Sequence, residues 1–334
     1  MSVRSRSPGN SAGIIDVARA ARVSPATVSR VLNSPDLVSE KTIERVKAAI
    51  ADLGYVPNFL AGGLATSRRK GLAFLLPTTG MTMFNDTVVT LTNEVAREGL
   101  QVQLVLIGNG EDDYDNALVQ ALSWRPAGVV SIGPIGSVSR TRLEKAGIPI
   151  VQTWDVPHDP IDMAVGFSNE AIGAETGRLL IQKGYRRPYI VSSGGSQGLS
   201  RRYGLSRVVV EAGLDEPEFT VIRFPSTYRD GRGAIAAHLD AGGRPDVVVC
   251  SSDWAAHGVM VEARARGLRV PEDLALVGLG DMDFAVDLDL TTVRIDGVDI
   301  GRRAARFLLD RLQGKDVAER SIDVGFEVVV RGSI

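Results

Sequence analysis

The chain has 334 residues, of which 44% are hydrophobic and 23% charged, with one cysteine and a formal net charge of -2. That length suits two or three domains of ordinary globular composition. It excludes a disulfide-stapled module and a multi-cysteine zinc site, because Cys250 stands alone, and no apolar run reaches the roughly 20 residues that a bilayer requires.

The small net charge hides an asymmetry. Residues 1–70 carry eleven Lys and Arg against five Asp and Glu, a balance of +6, while the rest carries 27 against 35, a balance of -8. A basic head on an acidic body predicts a polyanion partner at the head only. Residues 1–12 have basic Arg4 and Arg6 and no apolar core of a signal peptide, and read as a disordered basic tail. The near-absence of cysteine suits a reducing cytoplasm.

The stretch from Ile14 to Asn33, IIDVARAARVSPATVSRVLN, contains two short helical patterns separated by a tight turn. The first, from Asp16 to Ala21, turns Val17 and Ala20 inward, and Val23 plugs the core from the turn. The second opens on Ser24 and Pro25, a helix-start pair: the serine accepts from an orphan backbone N–H and proline sits where none is needed. Val28, Val31 and Leu32 take its inward face, and Ala26, Thr27, Ser29, Arg30 and Asn33 its outward face. Small polar groups and one arginine on a short exposed helix are what reading base edges in a major groove requires. A third helix is capped by Ser39 and runs to Leu53, with Ile43, Val46, Ile50 and Leu53 on one face and Gly54 as its left-handed stop. Residues 13–56 therefore read as an all-α helix-turn-helix domain.

Residues 57–70 read as a hinge helix and linker. Pro57 breaks the chain, Asn58 is a possible cap, and Gly62 and Gly63 each cost a helix up to about 1 kcal/mol. Such a segment is helical only when docked, and Leu64 then suits a wedge between base steps in the minor groove; an ordinary linker is the other reading.

The runs DVARAARVSPATVSRVLN, LVSEKTIERVKAAIADLGYVPN and LAGGLATSR resemble the DNA-binding head and hinge of the lactose/galactose repressor family, and the resemblance extends over essentially the whole chain. It implies that Pro25, Ala26, Thr27, Ser29 and Arg30 face an operator, that Asn33, Ser39, Tyr55 and Asn58 hold the DNA backbone, and that Leu64 is the hinge wedge. Three positions depart from the pattern: Gly13 replaces a capping threonine, Arg22 the turn glycine, and Gly62 a hinge arginine.

From Gly71 onward the pattern changes. Apolar runs at residues 72–76, 102–107, 128–132, 148–151, 189–191, 247–250, 274–277 and 328–330 alternate mostly with helical patterns. Continuous apolar strands joined by helices predict an α/β core, residues 71–334, with parallel sheets covered on both faces, long enough for two lobes. Trp124 reads as a core residue. Ligands bind such sheets beyond the carboxyl ends of their strands, often between lobes. That criterion selects Thr79, Met81, Phe84, Trp154, Asp155, Arg201, Ser252 and Asp281, for each of which loop or helix capping is the competing reading.

The same region is similar to the sugar-responsive core of that family, itself similar to periplasmic sugar-binding proteins. The resemblance implies that Arg201, in the R-x-x-G motif RRYG, grips the ligand and that Asp155 and Phe167 face it. Ser252 stands where many members have asparagine and Gly280 where many have aspartate. The segments LSWRPAG, TWD, PIDMAVGFSN and DVGFEVVVRGSI look closest to the gluconate-utilisation repressor branch. A sugar-acid effector follows, with Arg201 on its carboxylate, Asp155, Thr79, Ser252 and Tyr228 on its hydroxyls, and Trp154 or Phe167 on its carbon face.

His158, His238 and His257 have no metal-ligand spacing, and no nucleophile elbow or phosphate-binding loop is present, so no catalytic residue, metal or cofactor is expected. The resulting expectation is a cytoplasmic homodimeric repressor, working away from membranes, that holds a pseudo-palindromic operator in double-stranded DNA. A regulator of the same architecture that activates, uses a corepressor or answers to a neutral sugar or nucleobase is the alternative. A sugar-binding transport receptor is the remote one.

Overall fold

The structure, a computed structural model, describes residues 12–56, 71–77, 82–108, 113–133 and 135–334. The expected hinge, residues 57–70, and all of the expected tail except Ala12 lie outside the described residues. The chain divides into two compact units, residues 1–69 and 70–334.

In the first unit, helices α1 (Ile14–Ala21), α2 (Pro25–Asn33) and α3 (Glu40–Leu53) surround a small core. Each helix contributes one valine with no solvent exposure: Val17, Val28 and Val46. Val23, Leu32, Ile43, Ile50, Leu53 and Tyr55 close its edges. Ala20, expected inside, is exposed. The buried set in α1 is Val17, Ala18 and Ala21, whose spacing of one and three residues keeps them on one helical face and puts Ala20 off it. Gly54 ends α3 at φ +62°, with its N–H donating to carbonyls of the last turn.

The second unit is built on two parallel sheets. A six-stranded sheet runs in the order β11-β5-β4-β3-β1-β2, from β1 (Gly71–Leu76), β2 (Gln101–Leu106), β3 (Gly128–Ile132), β4 (Ile150–Thr153), β5 (Met163–Gly166) and β11 (Ser321–Asp323). A four-stranded sheet runs β7-β6-β8-β9, from β6 (Pro188–Ser193), β7 (Glu218–Ile222), β8 (Val247–Cys250) and β9 (Ala275–Val277). The alternation of side chains explains why these strands are apolar throughout. In β1, Leu72, Phe74 and Leu76 enter one core while Ala73 and Leu75 enter another on the opposite face. In β6, Tyr189 and Val191 take one face and Ile190 the other.

Helices α4 (Asn85–Arg97), α5 (Asp113–Ser123) and α6 (Ser137–Ala146) belong to the first lobe, and α8 (Ser196–Glu211), α9 (Tyr228–Asp240), α10 (Asp253–Ala265) and α11 (Asp283–Asp287) to the second. The chain passes between lobes three times: through α7 (Asn169–Lys183) after β5, between β10 (Thr292–Arg294) and α12 (Gly297–Leu312), and between β11 and β12 (Glu327–Val329). The last two crossings are tied by antiparallel pairing of β10 with β12, so the apolar run at 328–330 joins this ribbon and not a parallel sheet. Trp124, expected in the core, is 53% exposed. α5 spends its buried face on Ala117, Leu118 and Ala121 and ends at Ser123, which leaves Trp124 beyond the helix on the surface.

Candidate DNA interface and interlobe site

The head presents its polar chemistry outward by local rules. Ser24, at φ -75° and ψ 153°, caps α2: its Oγ accepts from Thr27 N at 3.1 Å and pairs with Thr27 Oγ1 at 2.9 Å. Such a cap contributes about 1 kcal/mol. With Pro25 at the first helical position, the start of α2 needs no help from the rest of the chain. Burial of Val28 and Val31 then leaves Pro25, Ala26 and Arg30 exposed and Thr27 and Ser29 half-exposed. Asn33 is the last residue of the helix.

The other four expected DNA-facing residues have different fates. Ser39 occupies the cap position of α3 but its side chain bonds no backbone N–H; its hydroxyl pairs with Thr42 Oγ1 at 3.0 Å. Tyr55 packs against the head core, where its N–H also donates to Ile50 O. Asn58 and Leu64 lie outside the described residues. Two departures from the family pattern now have a geometry. Gly13 caps α1 with no side chain, and only the return bond from its N–H to Asp16 Oδ2, 3.0 Å, is made. Arg22 closes the turn at φ 51° and ψ 49°. A left-handed backbone costs a residue with a Cβ roughly 1–2 kcal/mol relative to glycine.

On the second-lobe side of the site, two small-residue contacts set its geometry. A Cβ on Gly173 of α7 would strike the carbonyl of Arg201, and one on Gly204 of α8 the carbonyl of Glu170. The two helices therefore approach backbone to backbone, which brings Arg201 of α8 to Asn169 at the start of α7. Arg201 Nη1 donates to Asn169 Oδ1 and Nη2 to Ser193 Oγ at 3.3 Å. Asn169 Nδ2 donates in turn to Asp155 Oδ1 at 2.9 Å, and Asp155 also accepts from Val156 N at 3.1 Å.

This is a relay and not an ion pair. Among the described residues no carboxylate reaches Arg201 within salt-bridge distance, whereas Arg207, six residues on, pairs with both Glu170 and Glu211. Burial pushes the Arg201 guanidinium down to about 10, with the Asp155 charge pulling the other way. Burial also pushes the Asp155 carboxyl up, against the bonds from Asn169 and Val156 and the charge of Arg201. A half-buried cation with only neutral direct partners has incompletely compensated desolvation and donors to offer an anion.

The wall beside it is aromatic. Trp154 is 3% exposed and meets Phe84 edge-on at 4.7 Å and Phe167 at 5.8 Å. Its indole N–H donates to Thr87 Oγ1 at 3.1 Å, and that hydroxyl donates to Gly297 O at 2.9 Å. Trp154 adopts φ 68°, and its carbonyl accepts from Gln197 Nε2 of α8 at 3.1 Å, a bond between the lobes. Gln197 and Arg201, four residues apart, thus share the face of α8 that meets the first lobe.

The structure brings together Phe84, Trp154, Asp155, Phe167 and Arg201. Three other expected residues already have partners of their own within the protein. Ser252 has no exposure; its Oγ accepts from Ala255 N at 3.2 Å as the cap of α10 and pairs with Ser226 Oγ at 2.8 Å. Asp281 spends one carboxylate oxygen on Arg294 Nε and the other on Arg331 Nη2, both at 2.6 Å. Tyr228 begins α9 with its ring edge-on to His257 at 5.3 Å, in a cluster with Phe284 and Trp254. Thr79 and Met81 lie outside the described residues.

Sequence reading missed Asn169, Gln197 and Thr87. Only Gln197 carried a signal, its position one turn before Arg201. A cavity of about 40 Å³ touches Arg201, Ser192 and Ser251, room for little more than a water. A cleft of about 700 Å³ opens between Met83 of the first lobe, Gly280–Asp283 of the second and the crossing segments at Gly297 and Phe326, a volume in the range of small-molecule sites. Among the described residues no group of three or more His, Cys, Asp or Glu is placed to hold a metal, and burial pushes the Cys250 thiol up.

Comparison with known proteins covers both units. Residues 13–58 match the bacterial regulatory proteins of the lacI family, and residues 178–334 match the periplasmic binding protein-like domain. The HTH-type transcriptional regulator GntR of Pseudomonas aeruginosa is 32% identical over 327 residues, 95% of this chain and 94% of its own. A LacI-family transcriptional regulator from Silicibacter pomeroyi matches at a TM-score of 0.87 and 28% identity, over 96% of this chain and 99% of its own. The regulator CelR, solved as a cellobiose complex, matches at 0.70 and 28%, over 97% and 100%. With the helix-turn-helix head and the two-sheet core already in place, the chain belongs to the lacI family of bacterial regulatory proteins and is a DNA-binding transcriptional repressor.

Proposed function

We propose that the protein acts in the cytoplasm as a homodimer on a pseudo-palindromic operator and that a sugar acid bound between the core lobes controls its affinity. Each head reads a half-site through Pro25, Ala26, Thr27, Ser29 and Arg30, with Asn33, Ser39, Tyr55 and Asn58 toward the backbone and Leu64 opening the minor groove. The effector carboxylate takes the free donors of Arg201, its hydroxyls meet Asp155 and Asn169, and Trp154 and Phe167 cover its carbon face. Gluconate is the first candidate.

The observation that carries the effector class is Arg201, half-buried, with no direct carboxylate partner among the described residues and hydrogen-bonded only to neutral groups. A ligand carboxylate supplies the missing countercharge in charge-assisted bonds. The ligand shifts the balance between DNA-docking and non-docking arrangements only by its difference in affinity for them. Induction by a catabolic substrate is the sign we propose.

A second reading, a neutral sugar, draws on the cellobiose complex of a relative and on the hydroxyl-binding capacity of Asp155 and Asn169. A thermal-shift series with gluconate, other sugar acids and their neutral parent sugars, followed by DNA binding with each hit, separates the two. Stabilisation by sugar acids alone supports the first reading, and equal or greater stabilisation by the neutral sugars overturns it.

A further inference from the structure

We propose that Arg22 is a DNA-backbone contact whose guanidinium donates to a phosphate oxygen beside the recognition helix in each half-site. The inference rests on the DNA-binding reading of the head and adds a residue that this reading does not use.

Four observations meet at this position. First, the turn from α1 to α2 needs a left-handed residue, and Arg22 adopts φ 51° where glycine would do so without strain. A side chain is being carried there against the local preference of the backbone. Second, the side chain is outside. Val23 turns into the head core, while Arg22 before it and Ser24 after it are exposed, so Arg22 flanks the start of α2 on its open side. Third, the charge is unspent. One turn earlier Arg19 pairs with Asp16 at 3.3 Å, but among the described residues no carboxylate pairs with Arg22. Fourth, the helix dipoles give no net reason for a cation here. Arg22 caps the C-terminal end of α1, which favours positive charge, but it lies three residues before α2 opens at Pro25, where positive charge is disfavoured.

A strained backbone, an outward cation and no internal partner are explained together by an external anion. Phosphates flank any helix lying in a major groove, and arginine meets them in charge-assisted, often bidentate geometry. Such a contact positions the head without reading sequence.

The test uses the full-length chain and the duplex that the wild type recovers most strongly from a randomised double-stranded library. Arg22→Gln removes the charge and keeps the Cβ; Arg22→Gly removes the charge and relieves the backbone; Arg22→Lys keeps the charge. Loss of one phosphate contact lowers the slope of log affinity against log salt by about 0.9 per head, or roughly 1.8 for two heads. A threefold rise in salt then costs the wild type about sevenfold more affinity than it costs Arg22→Gln. Arg22→Gly shows the same slope loss while its head melts at a higher temperature than the wild type, and Arg22→Lys keeps most of the slope. Opposite signs for stability and binding in Arg22→Gly are what a purely structural role does not produce. If Arg22→Gln and Arg22→Gly bind the selected duplex with unchanged slope, the assignment is overturned. If the wild type recovers no duplex at all, the DNA-binding reading of the head itself falls first.

Discussion

The head and the core place an arginine at their centre of interest in opposite ways. Arg30 stands exposed on α2, held out by a helix whose start and inward face are specified within nine residues. Arg201 is half-buried on the second lobe, its partners Ser193 and Asn169 come from the end of β6 and the start of α7, and Asn169 links it to Asp155 of the first lobe. The difference concerns solvent. A surface arginine keeps its hydration until a partner arrives, so its position is cheap and its free energy is delivered in binding. A half-buried arginine has already lost part of its water, so the fold bears some of the cost in advance and a ligand anion recovers it.

The largest expected effect follows from that advance cost. Arg201→Met should abolish the thermal response to sugar acids, a loss of roughly 2–5 kcal/mol of ligand binding, as expected when one partner of an enclosed charge pair is truncated. The ligand-free melting temperature should hardly fall, since an incompletely compensated cation leaves with the side chain. A collapse of ligand-free stability would instead make Arg201 a structural residue and erase the contrast with Arg30.

Arg30→Ala is the counterpart at the surface. It should weaken specific duplex binding by about 1–3 kcal/mol if Arg30 makes a bidentate base contact, with no change in ligand response or folding. Equal loss on specific and unrelated duplexes would turn it into a backbone contact.

Ser24→Ala tests whether the head is as locally specified as it looks. Removing the cap should cost about 1 kcal/mol of head stability, read by thermal unfolding, with DNA affinity falling in step. The core melt should not move.

The same contrast governs what was legible in the sequence. The limits of α2, the stop at Gly54 and the inward valines of the head were readable because capping and helical spacing act within a few residues. Ala20 and Ser39 were misread by one position and one bond, the usual scale at which local patterns blur. In the core most apolar strands were visible, but β5, β7, β10 and β11 were not; β7, β10 and β11 mix polar with apolar residues, and β7 lies at a sheet edge with little burial. Of the interlobe residues, Arg201, Asp155 and Phe167 carried a motif or a resemblance. Asn169 and Gln197 became meaningful only through bonds spanning 32 and 43 residues, a separation at which spacing says nothing. Ser252 and Asp281 sit after strands, as ligand residues do, and the cap and the two ion pairs they make were beyond the reach of spacing.

Asp155 gives the smallest effect and the finest test, because it has no counterpart in the head. Burial raises its folded-state pKa above the unfolded value, so the folded protein binds its proton more readily than the unfolded chain. Its contribution is then fully present below the unfolded pKa and is lost as pH rises through the folded one. Several surface carboxylates act in the other direction: Asp273 is lowered to about 2 by its bonds with Arg269, and Asp240 is lowered by Arg266, so their stabilisation is lost as pH falls. The whole-protein pH profile mixes the two signs, but the difference between wild type and Asp155→Asn isolates one. The variant should melt at or above the wild type at neutral pH, and its advantage should shrink or reverse as pH falls through the carboxylate range. A difference that stays flat with pH would mean that the Asn169 relay already neutralises the cost of burying the charge. The half-buried Arg201 would then have its countercharge inside the protein, and the case for an anionic effector would weaken accordingly.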